Sequence, residues 1–225
     1  MDIKAHALTS DLVISTYFAA VYKWMTAALG ITTLVAWQVA NSETVFNFIF
    51  QTPGLAIGLI ILQLVMVIAI AGWVRKMSYG AAIAVFLAYA ALTGLTFSTI
   101  FIVYTTASIF KAFLVTTLMY GATSLYGYTT KRDLSGFGSF LFMSLIGIII
   151  ASVINIWLDS PMIEWVVTMG GVVVFAGLAA YDHQKLKYYA ISGGPESLAI
   201  SGALALYLDF INLFLMLLRI MGNRR

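Results

Sequence analysis

The sequence predicts an all-α polytopic membrane protein, and two observations support that fold class. Of the 225 residues, 62% are hydrophobic and only 9% are charged, whereas soluble domains average about 25% charged residues. Mean hydropathy is +0.98, and several apolar runs approach or exceed the roughly 20 residues that a helix needs to cross a bilayer. These runs lack the alternating pattern that is typical of a transmembrane barrel.

Seven apolar runs are separated by short polar pieces such as NSETVFN and TTKRDLSG. No piece is long enough to hold a soluble domain, so we predict one integral membrane domain over residues 1–225. The predicted spans cover residues 21–40, 54–73, 80–104, 108–128, 137–157, 163–181 and 198–219.

The positions of lysine and arginine predict the orientation of these spans. Because cytoplasmic loops carry the excess of basic residues, we expect the N-terminus in the cytoplasm. Seven full spans then put the C-terminus outside, and the basic tail MGNRR leaves open a re-entrant last segment that returns to the cytoplasm. The cytoplasmic side has Lys4, Lys23, Arg75, Lys76, Lys131, Arg132, Lys185 and Lys187, against Lys111, Arg219, Arg224 and Arg225 on the other.

Composition excludes several kinds of site. The chain has no cysteine, which excludes disulfides, thiolate metal sites and cysteine nucleophiles. It shows no Ser–Lys pair or HExxH motif, and Asp209 lacks the flanking glycine of a GxGD motif, so we expect neither enzyme activity nor a cofactor. The net charge of +3 is carried mostly by loops, which indicates membrane topology rather than nucleic-acid binding.

The last apolar run, ALYLDFINLFLMLL, contains an aspartate at its centre. At helical spacing, one stripe of the whole span 198–219 carries small residues and all of its strongly polar side chains, while the other faces are apolar. Such a helix packs inside a bundle, with its stripe facing protein or water rather than lipid. The stripe consists of Gly202, Ala205, Asp209, Asn212, Met216 and Arg219.

Other spans also carry polar or small faces. Close packing through small residues explains them, with hydroxyl groups bonding across helices, and a polar pathway is the alternative. Under that alternative, the candidate pore-lining residues are Thr93, Ser124, Asn155 and Asn212.

A second aspartate offers a partner for the one in the last span. A charged aspartate at the bilayer centre costs at least about 2.5–3.5 kcal/mol, so Asp209 must be neutralised, paired or hydrated. Asp182 ends the sixth apolar run, on the side from which the last span begins. Two nearby carboxylates cannot both ionise freely, so we expect the pair to share a proton.

Arg75, at the end of the second span, is the predicted counter-ion of this pair. The three groups would form a proton-responsive latch, in which ionised aspartates repel each other and compete for Arg75. A static Asp–Arg pair that fixes helix register is the alternative. His183 is expected to be a polar residue at the membrane interface, because it points away from Asp182 on a helix.

Several of these motifs resemble one known family. FAGLAAYDHQKLK, GALALYLDFINLFLMLLRIMGNRR, LTGLTFSTIF and GYTTKRDLSGFGSFLFMSLIG are similar to motifs of the Bax inhibitor-1 family, in the same order. The resemblance runs from about residue 20 to the end of the chain. Short loops and minimal tails suggest a bacterial member, in the plasma (inner) membrane.

The resemblance implies seven helices, with the last enclosed by the other six. It also implies a calcium leak that is gated by pH through two aspartates, which correspond to Asp182 and Asp209, with Arg75 as the latch and Lys76 as the adjacent contender. Some members carry an acid where this chain has Gln63. Similar bacterial proteins are linked to regulation of a membrane-bound protease.

Two functions therefore remain open. The first is a pH-responsive cation leak in the lipid bilayer, with protons as the signal and Ca²⁺ as the permeant ion. Ca²⁺ takes six to eight oxygen ligands, so Asp182 and Asp209 would bind it only weakly and transiently. The second is a binding protein that modulates another membrane machine, such as a membrane-bound protease.

Overall fold

The protein is built from α-helices. The computed structural model describes residues 3–193 and 195–225, with side chains from residue 11 onward, and this part of the chain contains eight α-helices and no β-strand. Lys4, which the charge distribution includes, lies outside the described side chains. The helices are α1 Ile3–Ala40, α2 Glu43–Gln51, α3 Leu55–Trp73, α4 Tyr79–Val103, α5 Thr106–Thr129, α6 Ser135–Leu158, α7 Pro161–Ser192 and α8 Ser197–Met221, with a 3₁₀ turn at Val74–Lys76.

Seven of the described helices are long and apolar enough to cross a membrane. This confirms the predicted fold class, and each predicted apolar run overlaps one of these helices. The exception is α2, which has nine residues and is too short to span a bilayer. Its Ile49 is buried and its Phe48 is exposed.

Two helices are longer than hydropathy predicts. α1 already qualifies as a span from Asp11, and α7 continues to Ser192. Hydropathy detects apolar length, whereas the stretch DHQKLKYYA is polar but rich in residues that tolerate helix. Asp182 therefore lies inside a continuous helix, ten residues before Ser192, and not at the end of one.

The last span is the most buried one. Of the most apolar part of α8, 61% is buried, against 44% or less for each of the other spans. Asp209 and Met216 of the predicted stripe are buried, and Asn212 is half-buried. Phe210 lies outside the stripe, on a face that an apolar pattern predicts to be more exposed, yet it is as buried as Asp209. Its ring packs against Phe113 and Tyr120 of α5.

The contacts within the chain gather in two compact units. The first unit contains the chain up to Thr105, together with Tyr189–Tyr207 and Arg224–Arg225. The second contains Thr106–Tyr188 and Leu208–Asn223.

In the first unit, Tyr207 ties α8 to α1 and α4. Its side chain is fully buried, and its hydroxyl hydrogen-bonds to the hydroxyl of Thr32 at 2.7 Å. Thr32 in turn donates to the carbonyl oxygen of Ala90 at 2.9 Å. The rings of Phe86 and Tyr89 pack edge-on against Tyr207. A buried network with satisfied partners fixes the position of this half of α8.

The C-terminal tail lies at the far end of α4. The backbone N–H of Arg225 donates to the carbonyl oxygen of Val103 at 2.9 Å, and Arg224 forms a β-bridge with Tyr104. α4 begins after the basic turn Val74–Lys76 and has 25 residues, enough to place its two ends on opposite sides of a bilayer. The tail is therefore opposite the basic turn, which supports seven crossings over a re-entrant last segment.

In the second unit, α5 and α7 touch through a glycine. A methyl group at Gly127 would overlap the carbonyl oxygen of Ala180. The absence of a side chain thus allows backbone-to-backbone approach, as is common between membrane helices. By contrast, Gly121 on the same helix has open space where a methyl group would be.

We expect Gly127→Ala to lower stability by roughly 1–3 kcal/mol, because the added methyl group forces α5 and α7 apart. Thermal unfolding of the purified protein in detergent measures this. Gly121→Ala is the matched control, and we expect it to be neutral or slightly stabilising. Equal unfolding temperatures for the two variants would show that the α5–α7 contact is not close.

Labelling of introduced cysteines tests the crossings, since the chain has no native cysteine. A cysteine at Ser135 is expected to react from the cytoplasmic side, and cysteines at Ser160 or after Arg225 from the opposite side. An impermeant thiol reagent, applied to intact cells and to inverted vesicles, distinguishes the sides. Labelling of Ser160 and the tail position from different sides would contradict seven crossings.

Candidate functional site

The structure brings Asp182 and Asp209 together in the second unit. Asp209 on α8 is 5% exposed, and Asp182 on α7 is half-buried. The two carboxylates are close enough to interact electrostatically. This juxtaposition arises because α7 and α8 are joined by a short turn and both continue as helices past these positions.

The positive charge that acts on this pair comes from a lysine that the sequence did not lead us to expect as a counter-ion. The charge of Lys185 acts on both carboxylates. It follows Asp182 by three residues on α7, a spacing that places two side chains on the same helical face. Its ammonium group also lies 5.6 Å from the ring centre of Tyr181. The motif DHQK could have predicted this interaction, because its acid and its base are three residues apart and so lie on the same side of a helix.

Arg75 lies in the first unit, in the turn Val74–Lys76, and its side chain is exposed. Lys76 next to it is exposed as well. The predicted pairing of Arg75 with the aspartates therefore stays a prediction. The positive charge that acts on Asp209 is that of Lys185, in the second unit.

Asp209 has an unusual environment for a carboxyl group. Its Oδ2 atom is buried and has no hydrogen-bond partner among the described residues. A buried polar atom without a partner costs about 1–3 kcal/mol. Such atoms are rare in native proteins and call for an explanation, such as a functional role.

The hydroxyl of Ser124 is also buried without a hydrogen-bond partner in the described chain. Ser124 lies between Tyr120 and Gly127 on one face of α5. That face packs on α7 and α8, because Tyr120 contacts the rings of His183 and Phe210 and Gly127 meets Ala180. Ser124 thus faces the side of the unit that carries the aspartates.

His183 is fully buried within the protein, and its expected position at the depth of the membrane interface stays a prediction. Its Nδ1 lies 2.6 Å from the carbonyl oxygen of Ala179. Because a carbonyl only accepts, Nδ1 carries the proton and donates it. The ring packs edge-on against Tyr120 at 5.7 Å. His183 therefore helps to join α7 to α5.

Gln184 fastens the loop between α5 and α6 to α7. Its amide is buried, its Oε1 accepts from the backbone N–H of Leu134 at 2.8 Å, and its Nε2 donates to the carbonyl oxygen of Arg132 at 2.7 Å. In the same loop, between Arg132 and Leu134, the carboxylate of Asp133 accepts a hydrogen bond from the backbone N–H of Ser135 at 2.9 Å. Hydrogen bonds from the side chain and backbone of Ser135 hold the pKa of Asp133 below its usual range.

Three of the predicted pore-lining residues bond to their own helix or turn. Thr93, in the first unit, donates to the carbonyl oxygen of Tyr89, and Asn212 donates to that of Leu208. Asn155 accepts from the backbone N–H of Ser160 and so closes the turn after α6. These bonds agree with the packing interpretation, and the pore-lining role stays a prediction.

No group of three or more histidine, aspartate or glutamate side chains that could hold a metal ion occurs among the described residues. The oxygens of Asp182 and Asp209 supply at most part of the six to eight ligands that Ca²⁺ takes.

Comparison with known proteins assigns the chain to a family. Residues 14–225 match the family described as "Inhibitor of apoptosis-promoting Bax1". The chain belongs to the Bax inhibitor-1 family. The match includes α7 and α8, and therefore both aspartates.

Similar proteins occur in several bacteria. The inner membrane protein YbhL of Escherichia coli is 56% identical over 218 residues, covering 94% of this chain and 93% of that protein. An uncharacterized protein of Rickettsia prowazekii is 41% identical, with 96% and 93% covered. One from Deinococcus radiodurans is 40% identical, with 94% and 92% covered. This member of the Bax inhibitor-1 family is thus an integral membrane protein.

We expect Gln184→Leu to release the loop before α6, because the buried N–H of Leu134 loses its acceptor at a cost of about 1–3 kcal/mol. Hydrogen–deuterium exchange of residues 130–135 is then faster than in the wild type. Gln38→Leu, at an exposed position on α1, is the control and leaves exchange there unchanged. Unchanged exchange in Gln184→Leu would mean that the loop is held by other contacts.

Proposed function

We propose that this protein is a pH-responsive leak pathway for Ca²⁺, closed by a proton that Asp182 and Asp209 share. Membership of the Bax inhibitor-1 family supports the proposal. The observation that carries it is a buried carboxyl with a partnerless oxygen, next to a second carboxyl, in the most buried span.

The charges of the three groups explain why one proton is favoured on the aspartate pair. If both aspartates were ionised, Lys185 would balance only one of the two negative charges. A buried carboxylate that lacks both a counter-ion and a hydrogen bond is strongly disfavoured. One shared proton makes the group of three neutral. In this proposal the closed conformation is the protonated one.

Loss of this proton would open the pathway. Two carboxylates that are both ionised repel each other, which weakens the contact between α7 and α8 at this level. The carboxylate oxygens of the two aspartates, freed by this separation, then attract a cation, and water supplies the remaining ligands of Ca²⁺. Arg75 is the proposed latch for a released carboxylate. In this proposal the protein has neither an enzyme activity nor a cofactor.

The proposed setting is the bacterial inner membrane, with the N-terminus in the cytoplasm. The basic loops then face the cytoplasm, as the positive-inside rule requires. The turn between α7 and α8 lies on that side, so the aspartates sense the cytoplasmic pH. Modulation of another membrane machine, such as a membrane-bound protease, is the alternative that the following experiment distinguishes.

We expect Ca²⁺ flux through the purified protein in liposomes to rise with pH, because deprotonation opens the pathway. A single controlling proton changes the open-to-closed ratio by up to about tenfold per pH unit. Asp209→Asn cannot lose this proton, so its flux is nearly independent of pH. Asp182→Asn has the same effect, and the double variant adds little, since coupled sites are not additive.

The control for this series is Glu164→Gln, which removes an exposed acid at the start of α7. Its flux is expected to follow the wild-type curve. Parallel curves for Asp209→Asn and the wild type would place the switch elsewhere. Absence of Ca²⁺ flux in every variant at every pH would contradict the leak and favour the protein-binding alternative.

We expect Lys185→Met to move the midpoint of the flux curve to higher pH by about one unit, equivalent to about 1.4 kcal/mol. Without the lysine charge the protonated form is favoured, so a higher pH is needed to remove the proton. Lys187→Met is the control, since this lysine lies over the ring of Tyr128 instead. Equal midpoints for the two variants would show that Lys185 does not act on the aspartates.

A further inference from the structure

A cavity of about 580 Å³ lies within the first unit. It is open on one side and is lined by the first half of α1, the first residue of α4, the end of α7 and the beginning of α8. Its volume is in the range of pockets that hold small molecules. Neither aspartate is among its lining residues, so it is a feature that the proposed leak does not use.

The polar groups of the cavity wall are largely occupied by the protein itself. The hydroxyl of Tyr17 donates to the carbonyl oxygen of Leu198 at 3.2 Å, and that of Thr16 donates to the carbonyl oxygen of Leu12 at 2.8 Å. The hydroxyl of Tyr79 accepts from the indole N–H of Trp24 at 2.7 Å. Each of these hydroxyls makes one hydrogen bond within the protein, and most of the rest of the described wall consists of aromatic rings and alkyl groups.

One acidic residue gives the cavity its charge. Glu196 is exposed, in the turn before α8, and no lysine or arginine is among the described residues that line the cavity. Three lining residues, Tyr17, Tyr79 and Tyr189, have aromatic rings. The faces of aromatic rings attract cations, and the attraction is stronger where water is excluded.

We propose that this cavity binds a lipophilic organic cation. Its positive charge lies against the tyrosine rings and Glu196, and its apolar groups lie against Leu198 and the start of α1. Leu12 and Val13 line the cavity and are 67% and 45% exposed. They give the cavity an apolar mouth at the end of a span, where amphipathic molecules gather in the membrane interface.

Other ligand classes fit the wall less well. An anionic amphiphile would meet Glu196, which also offsets the positive end of the α8 dipole. A sugar or a peptide needs several hydrogen-bonding groups in the wall, and the hydroxyls of Tyr17 and Thr16 already bond within the protein. A charge-bearing apolar molecule needs neither a basic residue nor these hydroxyls.

Binding of radiolabelled tetraphenylphosphonium to the protein in phosphatidylcholine nanodiscs tests the inference. Binding is expected to be saturable, with about one site per chain, and tetraphenylborate, which has the same shape and the opposite charge, does not compete. Glu196→Gln weakens binding on the order of tenfold. Glu43→Gln, which removes an exposed acid at the start of α2, leaves it unchanged.

A second pair of variants separates the ring from the hydroxyl. Tyr79→Phe keeps the ring and retains binding within about twofold, whereas Tyr79→Leu weakens it by roughly five- to tenfold. Absence of saturable binding, equal competition by tetraphenylborate, or equal losses in Glu196→Gln and Glu43→Gln would overturn the inference. So would equal losses in the two Tyr79 variants. No step of this assay depends on Ca²⁺ flux, so its outcome is independent of the proposed function.

Discussion

The structure depends on the placement of a carboxyl group inside the most buried span of a membrane protein. Lipid offers no water to solvate Asp209, and the partners that it has are Asp182 and Lys185 on α7. α7 must therefore hold its polar segment at the right depth and rotation. Gly127, which allows α5 to touch the backbone of α7 at Ala180, is one of the contacts that holds it there.

Four successive residues of α7 do different work because a helix turns by about 100° per residue. Asp182 and Lys185 share a face and form the charged group with Asp209. His183 bonds back to Ala179 and packs against α5, and Gln184 holds the loop before α6. The segment DHQK thereby lies between the charged site and two neighbouring elements, α5 and the loop before α6.

The fold class, the seven spans and the proximity of the two aspartates could be predicted because transfer energies and motifs are local properties of the chain. The helix boundaries could not, since hydropathy ends at Asp182 although the helix continues to Ser192. Gln184 was missed because its partners, 50 residues or more away, are backbone groups that leave no sequence pattern. Lys185 was detectable from its spacing to Asp182. From the sequence it is interpreted only as one of the basic residues that indicate the cytoplasmic side, because lysines are common at the ends of membrane spans.

The central claim is that Asp209 carries a proton in the closed conformation and loses it on opening. Infrared spectroscopy of the protein in lipid, with the wild type compared to Asp209→Asn, measures this directly through the C=O band of a protonated carboxyl. The account predicts a band that is present in the wild type, absent in Asp209→Asn, and lost over the pH range in which Ca²⁺ flux rises. A band that is the same in both proteins, or that does not change while flux rises, would contradict it.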